Sequence, residues 1–274
     1  MESASTTWPR RTSPTFWRRA ARGRGDTSAV HEAAARLFVD RAELPAVLGA
    51  GLAGLGTLAA DDPERPAAVR ISIGCYEIFG GDPTAAGAAA LVRSARLPSE
   101  LAYGADPTWR RLITEVHGDS LIDRPMRCFD PSGLDADALR AASLRLPSGF
   151  EVLRMDSRLA EQLDSGLEPH ALQVYPSREV FAREGVGFAA VTRGRVACAA
   201  TSYAACPGQI EVAISTRQLQ RGRGLALATS ARLLLHCLGA GILPHWNASN
   251  PVSQRLALRL GYKEAGLCEI LYLR

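Results

Sequence analysis

The segment Arg221-Gly222-Arg223-Gly224-Leu225-Ala226 joins two stretches of opposite periodicity. Before it, residues 209–216 alternate like a strand and end in Ile214-Ser215-Thr216. After it, apolar residues recur at helical spacing. A glycine-rich strand-to-helix turn restricts what the rest of the chain can be. Its glycines let the backbone turn sharply and approach a ligand closely. The helix it opens starts with amides that have no partner inside the helix. Together with the positive end of the helix dipole and the two arginines, those amides suit a pyrophosphate.

The flanking pattern places this turn in a mixed fold. Strand-like runs at 187–192, 195–205 and 209–216 precede it, the first two joined by Arg193-Gly194 and the second pair by Pro207-Gly208. A helix over 224–238, with Leu227, Ala231, Leu234, Leu235 and Leu238 inward and Gly239 past its end, leads to a strand over 242–248. Asn250-Pro251 then opens a helix over 251–260, Gly261 stops it, and 262–273 holds one or two strands. A short strand at 150–153 and two helical pieces within 157–184 complete this half. Three antiparallel strands thus feed a β-α-β crossover at the glycine turn.

The first half is also mixed. Residues 29–39 place Ala33, Leu37 and Phe38 on one helical face, whereas four glycines between 49 and 56 interrupt a helix in 44–61. Residues 67–79 alternate as one strand ending at Gly80-Gly81. Asp82 is placed to cap an Ala-rich helix over 83–96, and Asp106-Pro107 to open another, through Trp109 to Gly118. Pro131 to Ser148 reads as a short helix and linker. Three segments follow: a disordered basic tail over 1–28, an N-terminal α/β domain over 29–148, and a catalytic domain over 149–274.

Bulk properties exclude several function classes. The 274 residues are 47% hydrophobic and 22% charged, which is globular composition. The net charge of +4 lies mainly in the first 25 residues, where Arg10, Arg11, Arg18, Arg19, Arg22 and Arg24 face only Glu2, so the body is close to neutral and no nucleic-acid partner is expected. No apolar run reaches membrane-spanning length and no apolar signal segment follows the arginines, so neither a membrane partner nor secretion is expected. Cys75, Cys128, Cys198, Cys206, Cys237 and Cys268 show no metal-ligand spacing; they are expected to be free thiols in a cytoplasmic protein without a metal.

Two motifs resemble those of the GCN5-related N-acetyltransferase (GNAT) superfamily. Arg221 to Ala226 fits the pattern Arg/Gln-x-x-Gly-x-Gly/Ala, which binds the pyrophosphate of acyl-CoA. Asn250-x-x-Ser253-x-x-Leu256-Ala257-x-x-x-Gly261-Tyr262 is similar to the family's later motif, whose helix face lines the pantetheine and thiol end of the cofactor. The resemblance implies an α+β fold with a mostly antiparallel, splayed sheet. Acetyl-CoA or another acyl-CoA is the implied co-substrate, and backbone amides at Ile214, Ser215 and Thr216 take the thioester carbonyl and pantetheine. Asn250 also reads as a simple N-cap, compatible with contact to the ligand. The 69–79 strand, the Trp109 helix and the Trp246 segment further resemble a two-part bacterial subgroup similar to zwittermicin-resistance acetyltransferases, which implies an N-terminal domain that helps shape the acceptor site.

Glu211 lies ten residues before Arg221, where superfamily members often place a general base. It serves as base, as an anchor for the acceptor's ammonium, or as a structural charge; geometry decides before pKa does. The family often has a Tyr where this chain has Ala257, and that Tyr protonates the leaving thiolate. Tyr262, Tyr272 or water replaces it, or no acid is needed. His245 and Trp246 line the acceptor pocket or pack in the core, and His236 sits late in its helix, where it interacts with the helix dipole. The implied activity is transfer of an acyl group from acyl-CoA to a primary amine of a small molecule, such as an antibiotic or other secondary metabolite. Attack is direct, within a ternary complex, by a monomer or homodimer. A peptide or protein amine is the alternative acceptor, and a CoA-binding regulator the non-catalytic alternative.

Overall fold

The computed structural model describes residues 29–38, 43–164, 167 and 172–274; the tail expected over 1–28 lies outside them. In chain order the elements begin α1 (Ala29–Arg36), α2 (Pro45–Ala50), β1 (Thr57–Ala60), β2 (Ala68–Ile73), β3 (Tyr76–Gly81), α3 (Ala88–Arg93), β4 (Ser99–Ala102), α4 (Pro107–His117), β5 (Leu121–Asp123), β6 (Met126–Asp130) and α5 (Ala136–Ser143). They continue with β7 (Glu151–Arg154), α6 (Ser157–Asp164), α7 (Arg178–Glu184), β8 (Gly187–Thr192), β9 (Arg195–Cys206), β10 (Gln209–Thr216), α8 (Leu225–Ala240), β11 (Leu243–Ala248), α9 (Pro251–Leu260), β12 (Lys263–Cys268) and β13 (Ile270–Leu273).

The described chain forms two units, one holding Arg127–Gly266, the other running up to Met126 and taking back Leu267–Arg274. The boundary expected at 148/149 therefore moves, and the C-terminus changes unit. β6 pairs with β11 through Trp246↔Phe129, and Leu139 of α5 packs in the same core as Leu234 of α8, so both elements belong with the later strands. The last strand, β13, pairs instead with β4 and β5.

The first unit in the chain is a six-stranded sheet of order β1-β2-β3-β4-β13-β5. The single strand expected over 67–79 is a hairpin, with Ile73 paired to Tyr76 across a turn at Gly74. Asp82 caps no helix. Its carboxylate instead takes the amide and hydroxyl of Thr84, and α3 starts only at Ala88. Asp106 does cap α4, accepting from the amides of Thr108 and Trp109. Trp109 is buried against Phe79, 5.4 Å between ring centroids, and its indole donates to the Gly81 carbonyl at 3.0 Å.

The second unit is a seven-stranded sheet of order β12-β6-β11-β10-β9-β8-β7. Strands β7 to β10 are antiparallel neighbours, β10 and β11 are parallel, and α8 makes the crossover between them. The core lies between the sheet and the helices: Ile210 and Val212 of β10 and Trp246 and Ala248 of β11 meet Leu227, Ala231 and Leu234 of α8 and Ala257 and Leu260 of α9. Helix α8 runs past the expected stop at Gly239. Gly241, at φ 66°, ends it, its amide returning to the carbonyls of Cys237 and Leu238. Cys198, Cys206 and Cys237 are free thiols. Against expectation, Cys128 and Cys268 are disulfide-bonded.

Candidate active site

The glycine turn has the geometry its sequence implies. β10 remains paired with β9 as far as the Arg217 amide, which donates to Ala197 at 2.9 Å. A 3-10 turn over Gln218–Gln220 follows, and α8 begins at Leu225. Gly222 and Gly224 sit at φ 76° and 82°, in the left-handed region that side chains rarely enter, so this path needs glycine. No side chain caps α8. The amides of Gly222, Arg223, Gly224, Leu225 and Ala226 find no acceptor among the described residues. Residues 221–224 are exposed, Ala226 is half-buried and Leu225 is buried. Arg221 donates to the Thr216 carbonyl at 3.2 Å; Arg223 donates to Gln220 at 2.7 Å and lies 4.9 Å over the Phe150 ring. Five free amides at the positive end of a 16-residue helix, flanked by two guanidinium groups, fit a diphosphate.

The sheet opens next to this turn. β10 pairs with β11 only over Gln209–Glu211 and Leu243–His245. Beyond that, Trp246–Ala248 of β11 pair with β6, whereas Val212–Thr216 of β10 continue to pair with β9 alone. A register shift against β9 falls between Glu211 and Val212, and such an irregularity increases local twist where the strands separate. Because Arg217 bonds to β9 and antiparallel pairing alternates, Ala213 and Ser215 also direct their backbone groups to β9. Ile214 and Thr216 therefore present their amides to the open side. Ser215 differs from the sequence expectation: its amide lies on the β9 side and its hydroxyl donates to the Leu167 carbonyl at 2.9 Å.

Glu211 occupies the last paired position before the fork, and it is 5% exposed. Its neighbours Ile210 and Val212 enter the core, so alternation turns Glu211 to the opposite face of the sheet. There Asn247 holds it. The Asn247 backbone amide and side-chain Nδ2 both reach Oε1 at 3.1 Å, and Nδ2 reaches Oε2 at 3.2 Å. Burial pushes the carboxyl pKa up to about 8, against the opposing pull of the Asn247 donors. His245, the register partner of Glu211 on β11, bonds Gln209 at 2.7 Å, and burial pulls its pKa down to about 4, so it is neutral at physiological pH.

The second motif lies at the start of α9. The Asn250 carboxamide accepts from the Ser253 amide at 2.9 Å, the N-cap arrangement. The Ser253 hydroxyl accepts from the Trp246 indole at 3.1 Å. Trp246 is thus a core residue. Ala257 is fully buried in the same core. Neither proposed replacement for the missing tyrosine is poised as an acid. The Tyr262 hydroxyl donates to the Pro244 carbonyl at 3.0 Å, and burial holds its pKa well above 10. Tyr272 belongs to the six-stranded sheet, with Arg124 over its ring at 5.2 Å. His236 is half-buried near Arg154 and the Phe188 ring.

Sequence reasoning passed over Asn247, an unspecified position between Trp246 and Asn250. Its alternation with core-facing Trp246 and Ala248 marks it as facing away from the helices. Nothing in the sequence says that a residue 36 positions away shares that face.

A splayed sheet whose central strand runs through a glycine turn into an uncapped helix is the fold of GCN5-related N-acetyltransferases. The chain belongs to the GNAT acetyltransferase family, whose family model matches residues 36–270. It is 26% identical over 174 residues to an uncharacterised N-acetyltransferase of Bacillus subtilis, YdfB, covering 62% of this chain and 64% of that relative. The chain thus spans less than two thirds of the length of that protein. A GCN5-related N-acetyltransferase-like protein from Streptococcus suis superposes with a TM-score of 0.79 at 28% identity, over 89% of this chain and 98% of that one. A GCN5-related N-acetyltransferase from Kribbella flavida shares the fold, with a TM-score of 0.57 at 18% identity over 83% and 95% of the two chains. Among the described residues no helix is long and apolar enough to cross a membrane, and no cluster of three or more His, Cys, Asp or Glu could hold a metal.

Proposed function

We propose that this protein transfers an acyl group, acetyl by default, from acyl-CoA to a primary amine of a small molecule. The observation that carries this reading is the pairing, within one unit, of a helix start with five free amides and a buried carboxylate at the fork of the sheet. Family membership supports acyl transfer as the reaction type. Bound acyl-CoA supplies a thioester whose carbonyl carbon is open to an amine. Gly222 to Ala226, with Arg221 and Arg223, hold the diphosphate. The amides of Ile214 and Thr216 orient the pantetheine arm and polarise the thioester carbonyl, a contribution worth about 3–4 kcal/mol to such a reaction. Asn250 and Ser253 flank the thiol end.

Glu211 removes a proton from the acceptor's ammonium, directly or through a water, and frees the lone pair for attack. A carboxyl with a pKa near 8 suits this task better than an ordinary one, because a general base works best when its pKa lies near the operating pH. The nitrogen–carbon bond forms as the carbon–sulfur bond breaks, and the sulfur leaves as thiolate or takes a proton from water. The test is a screen of small-molecule and peptide amines for thiol release from acetyl-CoA, with mass spectrometry of the products. An acetylated small amine is expected. Thiol release matched by free acetate alone, with no acylated amine, would remove the transferase reading; turnover of peptide amines only would move the acceptor class.

A further inference from the structure

We infer that Asn247 is the positioning residue for Glu211: two of its donors converge on Oε1 and one reaches Oε2, which keeps a lone pair to meet the acceptor's proton. The inference deepens the general-base reading above and rests on it for its link to catalysis. Three donor contacts reach the carboxylate, all from Asn247. The backbone amide and Nδ2 converge on Oε1, and Nδ2 also reaches Oε2, its longest contact, at 3.2 Å. No cation pairs with Glu211 among the described residues. A carboxylate in a site this buried is tolerated only where donors satisfy it.

The position of Asn247 explains why one residue can do this. Residues 243–245 of β11 are paired to β10, and residues 246–248 are paired to β6. Asn247 is therefore two residues past the last β10–β11 pair. Its backbone amide is released from β10 yet still close enough to turn onto the Glu211 side chain. The fork of the sheet and the grip on the base have the same origin.

The other titratable groups nearby are committed elsewhere. His245 on β11 is bonded to Gln209, Tyr262 after α9 to Pro244, and Tyr203 on β9 to Gln173; Cys237 on α8 is a buried thiol that faces Tyr262. Ionised Glu211 disfavours ionisation of Tyr262, and at Glu211 itself Asn247 is the group opposing burial.

Asn247→Ala removes the Nδ2 donor and keeps the backbone one. Asn247→Leu does the same at nearly constant volume. Removing a hydrogen bond to a charged group is expected to raise the Glu211 midpoint by about one to two pH units. The direct measurement is carbon-13 NMR of side-chain-labelled glutamate titrated over pH, with the Glu211 signal assigned by its loss in Glu211→Gln. The acid limb of the pH–rate profile for amine acetylation should move upward by the same amount, with the KM for acetyl-CoA nearly unchanged. In the unsubstituted protein the Asn247 side-chain amide signal should titrate with the Glu211 midpoint, which reads the contact even if both variants misfold. An unmoved Glu211 midpoint in a folded variant, or an Asn247 amide that ignores the Glu211 titration, overturns the inference. A moved midpoint with no acyl transfer to any amine would keep the contact and sink only the catalytic reading.

Discussion

Replacing Glu211 by Gln should make the protein more stable at alkaline pH while it loses turnover. Burial lifts this carboxyl from an ordinary 4.5 to about 8. At about 1.36 kcal/mol per pH unit this corresponds to roughly 5 kcal/mol. The native state holds the proton more tightly than the unfolded chain. Between pH 4.5 and about 8 it therefore binds more protons, and stability falls as pH rises. The contribution of neutral Glu211 is fully present below pH 4.5 and lost above about pH 8. Gln has the same shape, accepts from Asn247 through its carbonyl oxygen and does not titrate. The stability of Glu211→Gln relative to the unsubstituted protein should accordingly rise by about 5 kcal/mol between pH 4.5 and pH 9. At about 2–4 °C per kcal/mol for a chain of this size, that is a difference of 10 °C or more in Tm. Urea unfolding followed by circular dichroism at each pH gives the two curves, and acetyl-CoA titration calorimetry should show the cofactor still binding. A stability difference that stays flat across this range would refute the burial of an ionisable carboxyl at the fork.

Three further substitutions probe the rest of the site. Gly224→Val forces a branched side chain into a φ of 82°, at a cost of roughly 1–2 kcal/mol; acetyl-CoA affinity by calorimetry should fall about tenfold or more as the amides are displaced, and undiminished affinity would move the diphosphate elsewhere. Asn250→Ala loses the cap on the Ser253 amide and should cost about 1 kcal/mol in urea unfolding. Ala257→Tyr inserts a ring where the alanine is fully buried; it should destabilise by about 1–3 kcal/mol without raising turnover, and a gain in turnover would show that an acid was missing.

The reading of the second half from sequence succeeded where local signals were strong and concordant. Helix α9 spans 251–260 as its cap and stop residues imply, and the strand–turn–helix at 209–226 has the expected form. Misreadings occurred where one pattern admits two structures. Residues 67–79 alternate through a hairpin because the residues on either side of the Gly74 turn keep the same period as a single strand. Asp82 satisfies a turn with the same chemistry it would use to cap a helix.

What the sequence determined by itself is therefore whatever depends on neighbours along the chain: the glycine turn, the caps at Asp106 and Asn250, the alternation of Glu211 away from the core, and through the two motifs the family. The tertiary structure alone decided which distant residues meet. It took β13 into the six-stranded sheet, gave β6 and α5 to the unit that contains Glu211, turned the Ser215 amide away from the fork, and brought Asn247 onto the carboxylate. The physical reason is that strand pairing and its register are set by hydrogen bonds and packing between segments far apart in the chain. Residue order records each segment's preferences but not its partners.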